Sequence, residues 1–116
     1  MVDIGIYVSS VTLEHKLEQQ TDGKSREATW NMGRFPSRLG TDPGPHRLFF
    51  ATDGYWQGYF LLAAEVLYNP DDERKPYSLI FDVTTWTEIE APVPVKRFRG
   101  FRYLNDMPRP VTGADD

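Results

Sequence analysis

The sequence contains no cysteine, which excludes disulfides and thiolate metal sites. Its two histidines, His15 and His46, are too few for a histidine-based metal site, and carboxylates alone would hold a hard cation only weakly. No stretch approaches the ~20 apolar residues that a membrane span needs. The opening MVDIGIYVSS has neither the charged start nor the long apolar run of a signal peptide. There is no GxSxG elbow, no phosphate-binding glycine loop, no HExxH and no internal repeat. These absences point to a soluble cytoplasmic protein with no cofactor and no metal.

What is present is aromatic. The chain has 7 Phe, 6 Tyr and 3 Trp in 116 residues, which favours a β-rich domain with aromatic-lined surfaces. That length supports one domain with a single modest core. The net charge of −4 alone argues against nucleic acid, but the charge is segregated. Nine of the 13 basic residues fall within Lys24–Arg47 and Lys96–Arg102, where only Glu27 and Asp42 oppose them. A local basic face on an acidic protein is therefore open to it.

The stretch that organises the chain is His46–Asn69. It reads as two strands, Arg47–Thr52 and Gln57–Tyr68, joined across an Asp53-Gly54 turn. The second arm is almost continuously apolar, as suits a central strand buried on both faces. Gly58 suits a bulge or a close backbone approach. Ahead of the hairpin, Ile4–Val8 is a short strand. Ser9, Ser10 or Thr12 can cap a helix over about Thr12–Gln20, whose apolar stripe of Val11, Leu13 and Leu17 is narrow. Lys24–Gly33 alternates as a strand with Ala28, Trp30 and Met32 on one face. Arg34–Pro45, with three prolines and two glycines, is an irregular loop of the length that often carries function.

After the hairpin, Asn69–Pro76 is a charged turn and Tyr77–Thr87 a strand. Pro92 and Pro94 keep Glu88–Lys96 from being a central strand, so it is read as an edge or crossing segment. Phe98–Leu104 alternates as a last edge strand. These elements predict an α+β fold: a curved mixed sheet of about six strands, closing toward a small open β-barrel, with one or two flanking helices. Residues 1–106 form the single domain and 107–116 a flexible tail.

Several residues have two readings. Trp30 is either a core tryptophan or a stacking wall for a flat ligand, with Asn31 bonding a ring edge. Ser9 and Ser10 either cap the helix or meet a ligand there. Trp56, beside Tyr55 at the hairpin tip, is a clamp or an exposed aromatic. Glu65 is a solvent-facing carboxylate or a buried one facing a pocket. Arginines 97, 99 and 102, interleaved with Phe98, Phe101 and Tyr103, suit single-stranded nucleic acid, and equally suit an edge strand guarded by charge.

Three stretches together resemble a PUA-like domain of the ASCH, EVE and YTH kind, over roughly residues 3–90. They are Ile4-Gly5-Ile6-Tyr7-Val8-Ser9-Ser10, Ala28-Thr29-Trp30-Asn31, and GPHRLFFATDGYWQGYFLLAAEV at Gly44–Val66. The resemblance implies a small open barrel with a nucleobase pocket beside the helix start. Trp30 would be its wall and Asn31 with Ser9 or Ser10 its polar contacts, while Trp56 and Trp86 are candidates for further aromatics that match no motif of the family. Arg34, Arg38, Arg97, Arg99 and Arg102 would grip the backbone of RNA or of modified DNA. A monomer that recognises a modified or flipped base is the expected function. ASCH-like amidohydrolases offer the alternative, with Lys24, Thr29 and Glu65 as a catalytic set acting on a modified nucleoside. Here Glu27, not a threonine, stands three residues after Lys24.

Overall fold

The computed structural model describes residues 2–22 and 26–104. Its elements are β1 (Asp3–Tyr7), α1 (Ser10–Asp22), β2 (Glu27–Met32), a single 3-10 turn at Ser37–Gly40, β3 (His46–Thr52), β4 (Tyr55–Tyr68), β5 (Tyr77–Pro94) and β6 (Phe101–Leu104). The six strands form one sheet in the order β2-β5-β4-β3-β1-β6. Only the β1–β3 pair is parallel. The sheet curls into a half-barrel whose two edges, β2 and β6, are not joined. No described helix is long and apolar enough to cross a membrane.

The curl has a local cause. Asp53 and Gly54 both take positive φ (55° and 88°), the conformation of a primed two-residue turn that matches strand twist. From there β4 and β5 pair with three breaks in register, each adding bend and twist. At one of them the Leu61 N–H finds the Thr85 hydroxyl at 2.8 Å in place of a strand carbonyl. Gly58 lies at another. A Cβ there would run into the Thr87 carbonyl and stand 2.7 Å from the Trp86 ring, so close backbone approach requires glycine.

Both faces of the sheet carry apolar side chains. On one, Ile4, Ile6, Leu48, Phe50, Phe60, Leu79 and Phe81 form the main core, covered by Leu13 and Leu17 of α1. Ser9 caps that helix, its hydroxyl accepting from the Thr12 N–H at 3.2 Å. On the other face, the alternate residues Phe49, Ala51, Trp56 and Tyr59 form a smaller core with Tyr7, Phe98 and Leu104. The expectation of a second hairpin arm buried on both faces holds at Tyr59 and Phe60 but not beyond. Leu61 and Leu67 are exposed, because nothing described covers that face past the bulges.

Two boundaries differ from the sequence reading. Tyr77–Thr87 and the proline segment after it are one continuous strand, β5. Prolines are tolerated there because β2 pairs only with Tyr77–Asp82, and no described strand pairs that side of β5 further on. The last strand starts at Phe101, not Phe98, because Gly100 takes φ 71° and breaks the extended run. The tail expected at 107–116 lies outside the described residues.

Two polar contacts pin β1 to β3. Asp3 and Arg47 are register partners, and the Arg47 side chain, 6% exposed, donates two bonds to the Asp3 carboxylate at 2.7 and 2.6 Å. Its guanidinium lies 4.9 Å from the ring centres of both Phe49 and Tyr59. Breaking a buried pair by removing one partner leaves the other charge uncompensated. Asp3→Ala is therefore expected to lower stability by about 3–5 kcal/mol in urea unfolding. A loss below about 1 kcal/mol, the scale of an exposed pair, would show that the pair is not structural.

Buried His46 accepts the Val2 N–H on Nδ1 at 2.9 Å. Burial holds its pKa below the ordinary 6.5, outweighing the carboxylates of Asp42 and Asp3, which act in the opposite direction. Folding therefore favours the neutral ring. Its contribution is complete above pH 6.5 and is lost as pH falls below that value toward the lower folded one. Wild-type stability is expected to fall more steeply than that of His46→Gln between pH 7 and pH 5, by at most about 1.4 kcal/mol per pH unit. Parallel pH profiles would contradict this role.

Candidate nucleic-acid interface

The half-barrel's open seam holds a cavity of about 750 Å³. One wall is Trp30, Asn31, Met32 and Gly33, from β2 and its end. The other is Arg97, Phe98, Arg99 and Gly100, the segment that enters β6. Tyr7 and Lys75 complete it. Trp30 is half-buried. Its alternation with Ala28 and Met32 turns it toward the main core, where it meets Phe50 edge-on at 5.9 Å, and its remaining surface faces the seam. One part of the ring thus packs on the core while another lines the cavity.

Phe98 is held from three sides: Tyr7 at 6.0 Å, Trp56 at 5.9 Å and the Arg102 guanidinium at 4.3 Å. Tyr7 is fixed in turn by its hydroxyl, which accepts the Gly54 N–H at 2.7 Å. The Asn31 carboxamide oxygen accepts the Ser78 hydroxyl at 2.5 Å. That bond leaves the Asn31 amide N–H groups as its free donors.

Among the described residues no carboxylate pairs with Lys75, Arg97 or Arg99, and no Asp or Glu lines the cavity. Elsewhere arginine is spent on partners: Arg26 on Asp82, Arg38 on Asp42, and Arg47 on Asp3. Two smaller cavities adjoin the main one. One, about 310 Å³, shares Tyr7 and Arg97 and is lined by Ser9, Ser10, Thr52 and Asp53. The other, about 460 Å³, shares Trp30, Asn31 and Lys75 and reaches His15, Lys16 and Thr29 beside α1.

The fold thus brings Ser9, Ser10, Trp30, Asn31, Arg97 and Arg99 to three cavities that share lining residues, together the trough. It places the remaining candidates elsewhere. Trp56 is 5% exposed and its indole rests on Gly5 and Phe49, so it is a core residue and not a ligand wall. Arg34 and Arg38 lie over Phe101 and Tyr103, 5.1 and 5.0 Å from the ring centres. Arg102 projects to the opposite face of β6, because side chains alternate along a strand. Of the five arginines, Arg97 and Arg99 line the main cavity, and Arg102 stacks on Phe98 in its wall.

The catalytic alternative is described only in part. Lys24 lies outside the described residues. Thr29 is on β2 and Glu65, exposed, is on β4, with β5 between the two strands. Among the described residues no group of three or more His, Asp and Glu is arranged to hold a metal ion.

Lys75 and Tyr7 were not singled out as site residues by the sequence, and Phe98 was named only as one ring of the basic and aromatic run. Lys75 sits in an acidic turn that reads as solvated surface. The turn is positioned by the Asp72 carboxylate, which accepts from the Arg74 and Lys75 N–H groups, and by close approach of Gly33 to the Arg74 carbonyl. Tyr7 had one legible signal: it ends β1 on the face opposite Ile4 and Ile6. No family model matches the chain, and no curated protein or solved structure gives a significant match.

Proposed function

We propose that the chain is a PUA-like module that binds single-stranded nucleic acid, RNA or base-modified DNA, through the open seam of the half-barrel. Trp30 stacks one unpaired base. The Asn31 amide donates to an acceptor on the base edge, and Lys75, Arg97 and Arg99 hold the neighbouring phosphates. The observation that carries this reading is the placement of a half-buried tryptophan face among three cations that have no carboxylate partner among the described residues. Its fit is to a ligand that is flat and aromatic in one part and anionic in the next. Resemblance of the Trp30 and Ser9-Ser10 stretches to EVE- and YTH-type domains points the same way, toward a base, modified or flipped, in the pocket.

Fluorescence anisotropy with labelled single-stranded RNA and DNA octamers tests it. Trp30→Ala is expected to weaken binding about 5- to 100-fold, the scale of one lost base–aromatic stack. Arg97→Ala/Arg99→Ala is expected to reduce the slope of log K against log salt by about 1.4, since each phosphate contact on a single strand contributes about 0.7. Wild-type affinity and salt slope in both folded variants would overturn the proposal.

A further inference from the structure

The trough continues past Trp30. Trp30 also lines a second cavity, of about 460 Å³, between α1 and β2, which Arg97 and Arg99 do not line. Thr12, His15 and Lys16 are one i, i+3, i+4 set on the helix, so they present together, and among the described residues no Asp or Glu lines the space. Lys16 is half-buried and anchored, with its ammonium donating to the Thr29 carbonyl at 3.2 Å. That bond uses one of three N–H donors and leaves two. Trp30, Asn31 and Lys75 line both this cavity and the main one.

Within a nucleic-acid strand, a base is flanked by a phosphate on each side. The lining has that composition: Trp30 is shared by a cavity that Arg97 and Arg99 line and a cavity that His15 and Lys16 line, and Lys75 lines both. We infer that the cavity beside α1 is a second subsite, which takes the next phosphate of the same strand, so that the ligand is a run of at least two linked nucleotides and not a free nucleotide. This rests on the function proposed above. An acidic peptide supplies the anions but not a flat ring between them, so the strand is the better fit.

Competition against a labelled octaadenylate, using adenylates of one, two, three and six units, reads the second subsite directly. For wild-type protein, affinity is expected to rise about tenfold or more from one unit to three and then to level off. His15→Ala, an exposed position, and Lys16→Gln are each expected to weaken trimer binding about three- to tenfold while changing mononucleotide binding less than twofold. A mononucleotide that competes as well as the hexamer, or a length series unchanged in both variants, would overturn the second subsite while leaving the base pocket standing. Failure of the octamer to bind at all would instead overturn the function beneath it. Competition by hexaglutamate equal to that of hexaadenylate would overturn the assignment to nucleic acid.

Discussion

The parallel pairing of β1 with β3, locked by the buried Asp3–Arg47 pair, is the constraint on which the rest of the molecule depends. The other strand pairs are antiparallel, and two of them, β3–β4 and β4–β5, join chain neighbours. β1 must travel from the chain's start to lie between the hairpin and β6. A buried ion pair contributes little net stability, but a mispaired one is costly, so it discriminates against a slipped register. Here a slip of one residue would leave Arg47 beside Phe49 and Tyr59 without its carboxylate and turn Ile4 and Ile6 out of the main core. With β1 fixed, β6 has an edge to join, and the segment before it is brought opposite β2. The seam is a consequence of that placement.

The smaller core ties this constraint to the trough. Trp56 packs on Gly5, where a side chain would collide with its indole, and reaches Phe98 on its other side. Phe98 in turn braces Tyr7 and Arg102. Rings thus run from the middle of the sheet to the wall of the cavity, and the flanking Arg97 and Arg99 project from a backbone that is held and not loose. Rigid support of this kind reduces the ordering that a ligand must otherwise bring about on binding.

Much of the fold was legible because its signals are local. The Asp53-Gly54 turn, the alternation of Ala28, Trp30 and Met32, and the serine cap before α1 each specify their element without reference to the rest of the chain. Trp30, Asn31 and the Ser9-Ser10 turn were legible as candidates for the same reason. Partnership was not legible. Whether an arginine is free or neutralised depends on which carboxylate the fold delivers to it, and Arg38 and Arg97 look alike until Asp42 is seen beside the first. Trp56 at a hairpin tip reads as exposed, yet a glycine on β1, far away in sequence, makes room for it. Gly100 resets the phase of the last strand, which no count of alternating residues foresees when the break lies inside the run.

The central claim is that one tryptophan, Trp30, meets a base at the seam while the other two belong to the core. Each of the three tryptophans gives one indole N–H signal in a nitrogen–proton correlation spectrum, assignable by substitution. On titration with a single-stranded octanucleotide, the Trp30 signal should move together with the backbone amides of Asn31 and of Arg97 to Gly100, while those of Trp56 and Trp86 stay in place. Movement confined to the Arg34, Arg38 and Tyr103 surface, with the Trp30 signal unchanged, would contradict the account.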